Sequence, residues 1–125
     1  MLGRISKGTL MIDERRKGLL RADHLFSQVR TAIDPNVPTQ IVQAFLTVAL
    51  NEGASLTDIS EKMGSVSLST TSRHLLDLGE RNRKMEPGYG LVARTPDPME
   101  LRKNQYTLTA RGKLLADTIT RLMEG

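Results

Sequence analysis

A chain of 125 residues, 38% of them hydrophobic, is long enough for one domain with a modest core of Leu, Ile, Val and Met. It carries 18 Lys and Arg against 14 Asp and Glu, a formal charge of +4 that favours a polyanionic partner; the signs are interspersed, so charge alone is not the binding device. The lack of cysteine excludes disulfides, thiolate metal ligands and thiol redox sensing. No apolar run approaches the roughly 20 residues of a membrane span, and the N-terminus lacks the apolar core of a secretory signal, so the expected compartment is the cytoplasm.

Met1 to Ile12 is mixed, with Gly3 and Gly8, and is expected to be an extended N-terminal arm. Asp13 to Ile33 predicts a first helix with Leu19, Leu20, Leu25, Phe26 and Val29 as its apolar positions. The run Asp34-Pro35-Asn36-Val37-Pro38 breaks it. A second helix, capped by Thr39, continues to about Asn51; its apolar residues cover more than one stripe, which predicts a buried central helix. From Leu56, an amphipathic segment with a Thr57 cap ends at Gly64, and another helix begins three or four residues later, so 56–79 has the outline of a helix-turn-helix.

The second helix of that pair is rich in short hydroxyl side chains, with Ser67, Ser69, Thr70, Thr71 and Ser72 in its first turns, followed by Arg73 and His74. These are poor helix formers, and a helix that only packed would not open on them. At about 100° per residue, Leu68, Thr71, Ser72, Leu75 and Leu78 fall on one side. Ser69, Thr70, Arg73 and Asp77 fall opposite, with His74 beside them. Hydroxyls exchange hydrogen bonds with phosphates and base edges, and Arg is the commonest bidentate reader of guanine in the major groove. The candidate recognition residues are therefore Ser67, Ser69, Thr70, Arg73, His74 and Asp77; the bland alternative is a solvated helix start with Ser67 as its N-cap.

A basic turn follows, RNRKMEPGYG, and then LVARTPDPMELRKNQYTLT. Leu91 to Thr95 and Gln105 to Leu108 have strand character, and Pro96, Asp97 and Pro98 between them mark a loop. Two short strands around a charged tip make a wing. Arg81, Arg83 and Lys84 in the turn and Arg94, Arg102 and Lys103 on the wing are candidate contacts to phosphates or the adjacent minor groove. A merely solvated hairpin is the alternative. The last helix is expected at about Ala110 to Met123, with Leu114, Leu115, Ile119, Leu122 and Met123 apolar. The fold class is thus mainly α with a small β-hairpin wing (α+β), a winged helix-turn-helix in a single domain divided into 1–12, 13–51, 56–79, 80–108 and 109–125.

The segment from Leu56 to about Leu115 resembles the winged-helix domain of the MarR type of bacterial transcription regulators. The resemblance is carried by Leu56-Thr57, Ser69-Thr70-Thr71-Ser72-Arg73, Leu91-Val92-Ala93-Arg94 and Leu108-Thr109-Ala110-Arg111-Gly112, and it is their order and spacing that make the match specific. Three departures stand out. Glu80 to Gly90 intervenes where the family has a very short passage into the wing, so either the helix is extended or the turn enlarged. Ser65 lengthens the turn before the recognition helix, and Leu68 stands where the family often has a polar or basic residue. The tip keeps only Asp97 and Arg102 of the family's acidic-then-double-Arg pattern. The resemblance implies a homodimer built from helices at both chain ends, with Leu19, Leu20, Leu115, Ile119, Leu122 and Met123 as interface residues; the alternative is that they close the core of one subunit.

Catalysis finds little support. His24 and His74 are the only histidines and stand on separate helices, neither lies at metal-ligand spacing from an acidic pair, and Gly88-Tyr89-Gly90 reads as a turn. No enzyme activity, metal or cofactor is expected, and any small-molecule effector is left open. With Phe26, Phe45, Tyr89 and Tyr106 as the only aromatics, stacking on single strands is poorly supplied, so double-stranded DNA is the expected partner. Two functional readings result: a sequence-specific transcription regulator, most naturally a dimeric repressor on a palindromic operator, or a winged-helix protein-interaction module in replication or phage assembly. The polar face of Ser69, Thr70 and Arg73 favours the first, since a protein-binding face is more apolar.

Overall fold

The computed structural model describes residues 7–81 and 84–124. Its elements in chain order are α1 (Lys7–Ala32), α2 (Thr39–Leu50), α3 (Leu56–Lys62), α4 (Leu68–Leu78), β1 (Val92–Pro96), β2 (Asn104–Leu108) and α5 (Ala110–Glu124). This is the expected mainly-α winged helix-turn-helix with its hairpin. The core is built around α2, where Ile41, Val42, Ala44, Phe45 and Val48 are all buried. A helix apolar on more than one stripe has to be surrounded. Here α1, α3, α4, α5 and the hairpin contribute Val29, Ile59, Leu75, Leu78, Leu91, Tyr106 and Leu115 to the same cluster.

Several local expectations are corrected. The part of the arm that falls within the described residues, from Lys7 to Ile12, is helical, so α1 starts well before Asp13; Met1 to Ser6 lie outside them. Nothing in KGTLMI breaks a helix once the turn following it is helical. Thr39 is the first residue of α2 rather than its cap, because Pro38 occupies the capping position in an extended conformation and its carbonyl accepts from Ile41 N at 3.0 Å. Thr57 likewise lies inside α3, and the cap is Ser55, whose Oγ accepts from Asp58 N at 3.2 Å. Leu68 sits in the first turn of α4 before the helix reaches the core and is 50% exposed, so Thr71, Leu75 and Leu78 alone form the buried face.

The segment after α4 is an enlarged turn, and α4 is not extended. Gly79 caps the helix, and the chain then doubles back through a bridge between Arg81 and Pro87. Gly88 N donates to Glu80 O at 2.8 Å, Gly90 N to Gly79 O at 2.9 Å and Leu91 N to Leu78 O at 2.8 Å. The last of these sets Leu91, at the entrance to the wing, directly beside the end of α4. Gly88 must be glycine there: a Cβ would run into the Gly79 carbonyl oxygen. The wing itself is an antiparallel pair in register from Val92 opposite Leu108 to Pro96 opposite Asn104.

The five residues from Leu108 to Gly112, which lead from β2 into α5, show why their order matters. Leu108 is buried; Thr109 Oγ1 donates to Gly90 O at 2.7 Å and accepts from Gly112 N at 3.0 Å. Gly112 is buried against Leu91, whose carbonyl oxygen occupies the place a Cβ would need. One Leu-Thr-x-x-Gly run therefore ends a strand, caps a helix and lets that helix touch the wing's root.

Candidate nucleic-acid interface

The helix-turn-helix is fixed by small polar contacts. Gly64, with φ of 87°, turns the chain out of α3 in the left-handed region, and Ser60 Oγ donates to Val66 O at 2.8 Å, closing a turn that accommodates Ser65. Ser67 then caps α4, accepting from Thr70 N at 3.2 Å while donating to Thr70 Oγ1 at 3.0 Å. The hydroxyl-rich start of α4 is thus partly its own capping network, with Ser69 Oγ 3.3 Å from the Ser67 hydroxyl. These groups lie at the helix N-terminus, where the backbone N–H groups favour an anion.

Along α4 the two faces separate as the spacing implies. Thr71, Leu75 and Leu78 are buried, while Ser67, Ser69 and Arg73 are exposed and Thr70 half-buried. His74 is half-buried and donates from Nε2 to Gln40 Oε1 on α2 at 2.9 Å, so it ties α4 to the core helix. Burial lowers its pKa from the ordinary imidazole value, with Asp77 opposing. Asp77 is half-buried, and its carbonyl oxygen accepts from Tyr89 N at 2.9 Å in the enlarged turn. Angle alone puts His74 and Asp77 with the free face; the structure gives the His74 side chain a partner inside the chain and engages Asp77 through its backbone carbonyl. The Thr71 hydroxyl is buried without a hydrogen bond among the described residues.

In the enlarged turn Arg81 is exposed and donates from Nη1 to Met85 O at 3.0 Å, Lys84 is exposed, and Arg83 lies outside the described residues. Met85 has a φ of 61°, an unusual conformation for a side chain with a Cβ. On the wing, Arg94 is exposed and hydrogen-bonds the side chain of Tyr106, its cross-strand partner. Burial raises the Tyr106 pKa, against the pull of Arg94. Arg102 is exposed at the tip, and Lys103 pairs with Glu100 at 3.5 Å.

One feature that pattern reading missed anchors the wing. Ala54, between α2 and α3, bridges to Tyr106: Tyr106 N donates to Ala54 O at 3.0 Å, and Gly53 N donates to Tyr106 O at 2.8 Å. Glu52 Oε1 accepts from Leu108 N at 2.8 Å alongside it. A single-residue bridge has no period to detect. Its only sequence signal is Gly53, whose φ of 93° the turn requires. The hairpin is thereby bonded to both the entrance of α3 and the end of α4, so α4 and the wing are held as one unit.

The expected interface residues divide. Leu19, Leu20 and Met123 are exposed and Leu122 half-buried. Leu115 and Ile119, however, are 4% and 9% exposed and belong to the chain's own core, which leaves them no surface to offer a partner. Leu10, Met11, Ile12 and Leu114 are exposed apolar residues of the same two helices. Among the described residues there is no cluster of three or more His, Asp or Glu placed to hold a metal, and no helix long and apolar enough to cross a membrane.

No protein-family model matches the chain, and no curated protein does. Solved structures match it over most of its length. Wild-type apo MarR from E. coli superposes with a TM-score of 0.59 at 18% identity, covering 96% of this chain and 78% of that one. The fold is the MarR-type winged helix. FabT from Streptococcus pneumoniae, solved in complex with DNA, has a TM-score of 0.62 at 17% identity, over 92% of this chain and 76% of its own. CouR, a transcriptional repressor bound to a 23-mer DNA duplex, has a TM-score of 0.59 at 21% identity, over 98% and 80%. On the MarR-type scaffold, the enlarged turn from Glu80 to Gly90 leaves the wing's root against α4.

Proposed function

We propose that this protein is a sequence-specific, double-stranded DNA-binding transcription regulator that acts as a homodimer on a palindromic operator and represses by blocking polymerase. The observation that carries the reading is the free face of α4: Ser69 and Arg73 are exposed directly opposite the buried Thr71, Leu75 and Leu78, on a helix held rigidly beside a wing bearing exposed Arg94 and Arg102. A helix offering its N-terminal residues and one Arg to a groove is the docking geometry of helix-turn-helix readers. FabT and CouR, similar in fold, were each solved with DNA. Two-fold association is supported by the exposed apolar side chains of α1 and α5, among them Leu10, Met11, Leu19, Leu20 and Leu114, which a soluble monomer would leave in water.

A gel shift with the DNA upstream of the protein's own gene, against an unrelated duplex at the same salt, tests this. A discrete complex that survives unrelated competitor supports the reading. Equal affinity for all sequences, or none for any, defeats it.

A further inference from the structure

The Glu80–Gly90 turn stands off from the wing and leaves a cleft between them. The backbone bonds that close the turn gather at its base, where the chain leaves α4 and rejoins β1, so the arch beyond them keeps its distance from the hairpin. The space enclosed is about 570 Å³, inside the roughly 300–1,000 Å³ range of small-molecule sites. Leu75 and Leu76 of α4 and Val92 and Ala93 of β1 form an apolar floor, and Met85 forms the outer lip. Gly79 and Gly90 contribute backbone alone, and the place where a Gly90 Cβ would stand is open space. Met85 keeps its φ of 61° at the lip, where Arg81 Nη1 donates to its carbonyl oxygen at 3.0 Å. A very short passage into the wing, as the MarR-type pattern has, would leave this wall out.

The polar groups at the mouth set the charge of what can enter. Arg81 and Arg94 stand there with one carboxylate, Glu80, which forms no ion pair with either among the described residues. A guanidinium carries several N–H donors. Arg81 uses one on Met85 O, and Arg94 bonds the Tyr106 side chain, so both keep donors for a further acceptor. The edge of β1 adds a backbone group. Tyr106, opposite Arg94, turns its own N–H and C=O outward to Ala54 and Gly53, so by the alternation of an antiparallel ladder Arg94 turns its main chain outward as well. That edge of β1 carries no further strand and lines the cleft. An apolar floor under free guanidinium and N–H donors complements an apolar body that ends in an anion. A neutral molecule would leave the donors unused, and a cation would meet two arginines.

We propose that this cleft binds a small organic acid, one carboxylate on an apolar body. Arg81 and Arg94 hold the carboxylate, and the body lies on Leu75, Leu76, Val92 and Ala93. The site stands whether or not α4 reads DNA. Glu80, at the same mouth, opposes the attraction and so supplies a test of its own.

Octanoate serves as the probe and 1-octanol as its uncharged counterpart, each titrated into the full isotope-labelled chain and followed through the backbone amide chemical shifts. Octanoate should move the amides of Gly79, Gly90, Ala93 and Arg94 to saturation. Octanol should bind about tenfold to a hundredfold more weakly, the worth of charge-assisted hydrogen bonds to the carboxylate. Arg81→Gln with Arg94→Gln, both at exposed positions, should reduce octanoate to the level of octanol. Glu80→Gln should strengthen octanoate severalfold and leave octanol unchanged, an effect that a general loosening of the turn would not produce. Equal affinity for the two probes overturns the proposal, as does octanoate binding of undiminished strength in the double arginine variant. Shifts confined to the exposed apolar faces of α1 and α5, or no saturable shift at millimolar octanoate, overturn it too.

Discussion

Arg73→Ala separates reading from folding. Arg73 is exposed on the solvent face of α4, across the helix from Leu75, and has no hydrogen bond within the chain among the described residues. Its removal takes nothing from the core and replaces it by the best helix former, so stability should stay within about 0.5 kcal/mol. Losing a bidentate hydrogen-bond pair to a base costs about 1–3 kcal/mol, and the proposed symmetric dimer loses it twice, which gives about 2–6 kcal/mol, or roughly 30-fold to more than 10⁴-fold in Kd. On a scrambled duplex the loss should be far smaller, because only a phosphate attraction disappears there. Fluorescence anisotropy with both duplexes at one fixed salt concentration, beside a thermal melt, measures all three quantities. If the variant keeps its melting temperature and binds the selected duplex within about threefold of the wild type, Arg73 does not read DNA and α4 is only a packed helix.

Arg102→Ala should weaken selected and scrambled duplexes alike and reduce the slope of log K against log salt by about 0.9 for each phosphate that is no longer neutralised; a loss confined to particular base pairs would show that the wing reads sequence at Arg102. Leu19→Glu with Leu114→Glu, both at exposed positions, should leave the fold intact and produce monomers that have lost most operator affinity. Sedimentation of the wild type as a monomer at micromolar concentration with a palindromic duplex present would defeat the dimer. Gly112→Ala should lower stability by about 1–3 kcal/mol in a denaturant titration despite alanine's better helix propensity, because the new methyl group meets the Leu91 backbone and α5 must shift away from the wing; an unchanged midpoint would mean that α5 moves freely there.

What pattern could find, and what it could not, follows from the range of each interaction. The face of α4 was legible because burial of Thr71, Leu75 and Leu78 imposes a helical period on the sequence. Leu68 escaped that logic: periodicity gives an angle, but depth depends on where the helix enters the core, and the first turn of α4 has not yet reached it. Ser55, and not Thr57, caps α3 although both residue types cap well, a choice set by where the bridge at Ala54 lets the chain turn. Angle alone puts His74 on the open side, whereas its partner Gln40 lies 34 residues away, beyond any local rule. The same holds for Leu115 and Ile119: an apolar stripe on a terminal helix fits a subunit core and a dimer equally well until the opposite face is known.

The hydrogen bonds that close the base of the Glu80–Gly90 turn make it a cassette rather than a spacer. With Leu91 N bonded to Leu78 O and Gly90 N to Gly79 O, the distance from α4 to the wing is settled before the chain leaves for Arg81 and after it returns from Pro87. Whatever lies between is free to vary in length, since the entropy of closing a loop grows only slowly with the number of residues in it. The turn could be cut to a tight two-residue connection or lengthened into a reporter peptide with the placement of α4 against the wing unchanged. Sequence drift in this segment can thus alter the charge displayed beside the wing independently of the face that α4 exposes.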